Sequence, residues 1–161
     1  MVRIFTMDKK TNATRKLDML KIPYKEYFYS PEDAVTGTDV AALIGQNPEH
    51  VFKTLVTTGK SNIHYVFMIP VGKELDLKKA AAAVNEKNII MLKSKELLPL
   101  TGYIHGGCSP IGMKKLFRTI IDNSAEEFDT IICSGGKRGY QIEITLSDLR
   151  KAVAIDSAAI V

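Results

Sequence analysis

VFKTLVTTGKSNIHYVFMIPV, residues 51–71, decides the fold. Two strand-like runs, 51–57 and 63–71, flank a polar turn at 59–62, so they read as a pair of sheet strands. The second run, IHYVFMIPV, is apolar at nearly every position, not at alternate ones. A strand that is apolar on both faces is covered on both faces, which makes 63–71 the central strand of a sheet. The first run carries one odd residue. Extended backbone puts Lys53 on the same side as Val51 and Leu55. A lysine desolvated there favours an anionic partner, whereas one on a strand edge snorkels to water.

Outward from this pair, the chain reads as short elements. Thr11-Asn12 offers a cap for a helix with Leu17 and Leu20 on one face, ended by Ile22-Pro23. An aromatic strand at 24–29 and a loop at 30–37 follow. Thr38 is placed to cap a helix that ends at Gly45, and Asn47-Pro48 starts a helical turn. Beyond the central strand, Asp76 caps LKKAAAAV, 88–92 is a short strand, and Ser94 opens a helix that ends at Gly102. Strands are expected at 116–121, 130–133 and 140–145, with a helical turn at 123–128 and a last helix opened by Ser147. There is no repeat and no linker. The order mixes hairpin-like pairs with helix crossovers, which implies an α/β fold: residues 1–161 as a single compact domain, with a mixed, barrel-like sheet and short surrounding helices. No βαβ unit carries GxGxxG.

Composition sets outer limits. The chain has 161 residues, enough for a core without disulfides or metals. No apolar run of membrane-spanning length occurs, and the start of the chain has no secretory pattern. Two cysteines, Cys108 and Cys133, lack metal-site spacing and read as reduced thiols of a cytoplasmic protein. The net charge of +4 and pI near 9.0 are compatible with a polyanionic partner. The aromatic residues have no base-stacking pattern. No cofactor motif and no metal site is expected.

Seven of the 11 glycines lie between Gly102 and Gly139. They form two clusters, Gly106-Gly107 with Gly112, and Gly135-Gly136 with Gly139, each beside basic residues. Glycine lets a ligand approach backbone N–H groups, and successive free N–H groups form a nest for an oxyanion. The two loops are expected to wall one anion-tolerant pocket; the plainer reading is two tight turns. His105 lies three residues from Cys108, but three residues apart in an extended loop gives poor geometry for proton transfer, so Cys108 reads as packing. His50 reads as solvent-facing, and Asp122, Glu126, Glu127 and Asp129 as a solvated acidic turn. No triad or carboxylate pair stands out.

Four motifs in order carry a resemblance: Phe52-Lys53-Thr54-Leu55; Leu75-Asp76-Leu77-Lys78-Lys79; Thr101-Gly102-Tyr103 with Gly106-Gly107-Cys108-Ser109-Pro110-Ile111-Gly112; and Ser134-Gly135-Gly136-Lys137-Arg138-Gly139. On these the chain resembles the YbaK/EbsC family of aminoacyl-tRNA deacylases, in particular the Cys-tRNA(Pro) deacylases related to the editing insertion domain of prolyl-tRNA synthetase. The resemblance implies hydrolysis of a mischarged aminoacyl ester on tRNA(Pro), with cysteine as the amino acid and broader Cys-tRNA activity within reach. It implies Lys53, Gly106 and Gly107 as catalytic residues. Tyr27, Thr54, Ser109, Ser134, Gly135, Lys137 and Arg138 would bind substrate. Partners would be the 3′ end of tRNA and prolyl-tRNA synthetase, with no DNA, membrane, metal or cofactor. Cysteine-specific relatives carry an aromatic residue where this chain has Thr36, which leaves alanine or another small amino acid as an alternative substrate. A non-catalytic tRNA- or synthetase-binding module and a thiol enzyme centred on Cys108 are the readings from other classes.

Overall fold

In a computed structural model, the described residues are 10–161. The order of elements is α1 (Asn12–Met19), β1 (Lys25–Phe28), a 3-10 turn (Pro31–Asp33), α2 (Gly37–Leu43), β2 (Phe52–Gly59), β3 (His64–Pro70), α3 (Leu77–Ala83), β4 (Ile89–Met91), α4 (Ser94–Thr101), β5 (Arg118–Asp122), a second 3-10 turn (Asn123–Glu127), β6 (Thr130–Lys137), β7 (Tyr140–Thr145), α5 (Leu146–Ala152) and β8 (Ile155–Ala158). The strands form two sheets. One is three-stranded, β1-β7-β6; the other is five-stranded, β4-β2-β3-β5-β8.

β3 is the central strand that its sequence implied. It pairs antiparallel with β2 and parallel with β5, and β5 pairs parallel with β8. On one face, Phe67 and Ile69 pack with Ile120 and with Ala80 and Ala81 of α3. The alanines let that helix lie close to the sheet. On the other face, Val66 and Met68 meet Ile131, Cys133, Ile142 and Ile144 of the three-stranded sheet. The expected mixed sheet is thus the five-stranded one. A parallel bridge, Val51 to Ile132, stitches it to the smaller sheet at one corner.

Several elements depart from the sequence reading. β6 runs to Lys137, four residues beyond the expected end, because a bulge between Ser134 and Lys137 absorbs the glycines within the ladder. β8 was not anticipated; IDSA is short and pairs only as a parallel edge. Thr36, not Thr38, caps α2: its hydroxyl accepts from Asp39 N–H while the Asp39 carboxylate accepts from Thr36 N–H. Lys93 and Thr145, not Ser94 and Ser147, occupy the N-caps of α4 and α5. Leu20 is exposed, since α1 ends before it. His50 is half-buried, stacked 4.8 Å from Phe128, with Nε2 2.7 Å from the Thr130 carbonyl. Asp122 is buried, and its carboxylate accepts from the N–H groups of Ser124 (3.2 Å) and Ile160 (3.1 Å). It joins the second 3-10 turn to the C-terminal residues and is not solvated.

Candidate active site

The bridge between the sheets also positions the lysine. Val51 and Ile132 pack on the same small cluster under α2. Pairing stops at that bridge, and alternation along each strand leaves Lys53 of β2 and Ser134 of β6 on that same outer face. Across the small sheet, Ser134 pairs with Gln141, and Gln141 pairs with Tyr27. Register therefore sets Ser134, Gln141 and Tyr27 in one row across three strands, on the face turned away from the core, with Lys53 on the outer face of the neighbouring β2. Lys53 is half-buried and makes no ion pair among the described residues.

Each member of the row has a defined polar state. Ser134 is buried, and its Oγ accepts from Gly136 N–H at 3.1 Å, which leaves its own hydrogen for another acceptor. Tyr27 donates its hydroxyl to Glu143 Oε1 at 2.5 Å. That bond, together with burial, pushes the Tyr27 phenol up to about 12. Its donor is therefore occupied; what it can present to a ligand is ring surface and an oxygen lone pair, already approached by Gln46 Nε2 at 3.4 Å. Gln141 was not singled out from the sequence. It is 6% exposed, and neither of its amide atoms is both sealed from solvent and without a partner. In the sequence, Ile142 and Ile144 alternate with Gln141, Glu143 and Thr145, which puts Gln141 on a polar face. What could not be read was the burial of that face, part of which lies under α2, where Ala41 and Ile44 pack with Ile132 and Tyr27.

The two glycine segments do meet. The chain from Thr101 to Lys114 forms a closed loop: Lys114 N–H donates to the Thr101 carbonyl at 3.0 Å, and the Tyr103 hydroxyl to the Ile111 carbonyl at 2.5 Å. Gly107 N–H donates to the Ile104 carbonyl at 3.0 Å, and Gly106 inside that turn has φ +85°, as the third residue of a type II turn requires. Gly107 lies directly on the β6–β7 hairpin. A Cβ there would sit 2.9 Å from Arg138 N and from Lys137 Cα, so only glycine allows the contact. The aliphatic part of Arg138 covers Gly106, and its guanidinium donates to the Pro31 carbonyl at 3.3 Å.

This geometry revises several expectations. Of the Gly106-Gly107 pair, Gly107 N–H is held by the turn, and only Gly106 N–H lacks a partner among the described residues. Ser109 is fully buried and accepts from Ile111 N–H at 3.1 Å; it holds the loop together from inside and does not face a ligand. Gly135 lies against the Tyr140 ring, with its carbonyl taken by Thr11 Oγ1 at 2.5 Å. Thr54 shares its side of β2 with Phe52 and Val56 and turns toward the core, opposite Lys53. Its Oγ1 is buried without a partner among the described residues. Lys137 sits 5.5 Å above the Tyr140 ring. Cys108 and Cys133 are both buried, and desolvation pushes each thiol up to about 12. Neither is a nucleophile at neutral pH. No cluster of metal-ligating side chains occurs among the described residues.

The chain is 48% identical over 137 residues to a protein of Enterococcus faecalis named "Putative Cys-tRNA(Pro)/Cys-tRNA(Cys) deacylase EbsC", with 84% of each chain covered. Among solved structures, the fold matches that of a hypothetical protein with a TM-score of 0.83 at 19% identity, covering 92% of this chain and 98% of that one. It also matches "a putative trans-editing enzyme for prolyl tRNA synthetase" with a TM-score of 0.77 at 21% identity, covering 92% of this chain and 96% of the other. A family model described as the aminoacyl-tRNA editing domain matches residues 31–152, from the first 3-10 turn to the end of α5 and so across the whole Lys53–Ser134 region; the chain belongs to the aminoacyl-tRNA editing domain family.

Proposed function

We propose that the protein hydrolyses the ester between cysteine and the 3′-terminal adenosine of mischarged tRNA(Pro), as the name of the Enterococcus relative describes for that protein. The observation that carries the reading is the Ser134–Gln141 pair with Lys53 on the outer face of the neighbouring strand, near the corner where the two sheets are bridged. It offers one cation, one hydroxyl hydrogen and one amide, with neither a general base nor a reactive thiol of its own. An aminoacyl ester is already activated, so orientation and stabilisation of a developing oxyanion supply much of the barrier reduction.

Such a site suits chemistry in which the substrate brings its own nucleophile. The cysteine thiol attacks the ester carbonyl, a C–S bond forms, the C–O bond to the ribose breaks, and the thiol proton ends on the released ribose hydroxyl. The amino acid leaves as a thiolactone, which water then opens. Lys53 holds the negative charge at the adenosine end, Gly106 N–H faces the carbonyl oxygen, and the Ser134 hydroxyl and Gln141 amide bond the polar groups of the amino acid. Prolyl-tRNA synthetase is the natural partner for selecting tRNA(Pro).

Thr36 favours a second substrate. It is exposed and spends its hydroxyl on the α2 cap, so it places no aromatic wall over the row. A pocket without that wall accepts alanine, whose ester would need an external water. A methylene or a sulfur at the pocket floor is worth only about 1–3 kcal/mol of discrimination. One panel separates the readings: purified protein with tRNA(Pro) carrying cysteine, alanine or proline, and with Cys-tRNA(Cys), each with and without prolyl-tRNA synthetase. Fast release of cysteine from tRNA(Pro) is expected. Retention of tRNA without turnover of any ester would reduce the protein to a binding module.

A further inference from the structure

The acidic residues of this chain are unevenly placed. No Asp or Glu occurs at 10–17, at 97–121 or at 130–142. These segments are far apart in sequence, and the fold joins all three. Thr11 Oγ1 donates to the Gly135 carbonyl. The backbone of Asn12 lies against Gly112, and the side chains of Asn12 and Lys114 lie over Gly102. Gly107 rests on the backbone of Lys137 and Arg138. The result is a continuous surface around the glycine segments that carries Arg15, Lys114, Lys115, Lys137 and Arg138. No carboxylate is paired with any of the five among the described residues.

The edges of this surface are marked by neutralised cations. At one end Lys10 pairs with Asp18 at 2.5 Å; at the other Arg118 pairs with Asp156 at 3.9 Å. Arg15, Lys114, Lys115 and Arg138 are exposed, and Lys137 is half-buried. A compact anion is held by convergent, buried donors. A spread of exposed cations without ion-pair partners matches a chain of phosphates instead, which is bound through screened Coulomb attraction and release of counterions.

We propose that Arg15, Lys114 and Lys115, continued by Lys137 and Arg138, form a track for the phosphate backbone of the tRNA acceptor strand leading to the site. The track rests on the deacylase reading for its substrate but is tested apart from it. The variant Arg15→Ala/Lys114→Ala/Lys115→Ala removes three exposed charges that lie outside the proposed chemistry. A control, Lys60→Ala/Lys78→Ala/Lys87→Ala, removes the same charge from exposed positions on the β2–β3 turn, α3 and the α3–β4 connection.

Two measurements are made on wild type and both variants. The first is the affinity for uncharged tRNA(Pro) over a range of salt concentrations. The second is kcat/KM for mischarged tRNA and for an aminoacyl-CCA fragment without the stem. The track variant should lose at least tenfold in tRNA affinity and in kcat/KM for whole tRNA. Its salt slope should fall by about 2–3, at roughly 0.7–0.9 per lost phosphate contact. Hydrolysis of the fragment should stay within twofold of wild type, and the control variant should follow wild type throughout. Wild-type affinity and slope in the track variant would overturn the proposal; so would an equal loss in the control, or a parallel loss on the fragment. If wild type hydrolyses neither ester while the track variant still loses tRNA, the track stands and the deacylase reading falls.

Discussion

The two faces of the three-stranded sheet are built from alternate residues of the same strands, yet they do different work. Inward point Ile131, Cys133, Tyr140, Ile142 and Ile144, all buried among the apolar residues of the larger sheet. Outward point Ser134, Gln141 and Tyr27, joined by Lys53 from β2. The outward groups are nearly as well covered as the inward ones: Gln141 is 6% exposed and Ser134 7%. Burial therefore does not separate core from site here. The separation lies in chemistry: the inward side chains are apolar apart from the Tyr140 hydroxyl and the Cys133 thiol, whereas the outward row presents a hydroxyl, an amide and a phenol.

The largest effect should come from the inner face. Ile142→Ala leaves a cavity between the sheets and costs about 2–5 kcal/mol. That corresponds to a melting temperature lower by roughly 5–15 °C for a chain of this size. Activity per folded molecule, measured well below that temperature, should match wild type. Lost activity without lost stability would show that the inner face takes part in the chemistry.

Lys53→Ala should do the reverse. Deacylation of mischarged tRNA should fall at least tenfold while the melting temperature stays within about 2 °C, since an unpaired half-exposed lysine contributes little to stability. Wild-type turnover in this variant would remove Lys53 from the site and leave the row without its charge. Gln141→Leu refines the same contrast with a smaller effect. Gln141 makes no side-chain hydrogen bond to another described residue, so an apolar group of similar size should cost little stability. Melting should hold, and kcat/KM should fall about three- to tenfold, read as a change in the ratio of cysteine to alanine release. An unchanged ratio would make the amide a structural oddity.

Much of this contrast was legible in the sequence. The double-sided apolar run at 63–71 gave the central strand, and Tyr140–Thr145 showed its alternation directly. What the pattern could not show was the cover. A Gln–Glu–Thr series reads as a solvated face, yet in the fold Gln141 is buried between Ser134 and Tyr27 of the neighbouring strands. The glycine segments were noticed for free N–H groups, yet most of them serve turns and close contacts. Gly107 is fixed by backbone from the hairpin 30 residues later, a contact with no local signature. Ser109 is expected at the substrate from the resemblance alone, and its Pro and Gly neighbours mark a loop, a kind of segment usually at the surface. Here the loop is pinned by Tyr103, and its serine turns inward.

The two cysteines mark the inner side of the contrast most sharply. Burial pushes both thiols up to about 12, against an ordinary value near 9. A raised thiol pKa means that the folded state holds its proton where the unfolded chain has lost it. Stability from this source is complete below about pH 9 and declines as pH rises from there toward 12. At pH 8, then, iodoacetamide should leave native Cys108 and Cys133 unlabelled over times in which the denatured chain reacts fully. Cys108→Ser should keep at least half of the wild-type deacylation rate. Cys133→Ala should lose some stability at neutral pH, and its melting temperature should fall less steeply than that of wild type between pH 9 and 11. Rapid native labelling of Cys108, or loss of hydrolysis in its serine variant, would put reactive chemistry on the inner face. The sheet would then no longer divide a packing side from a substrate side.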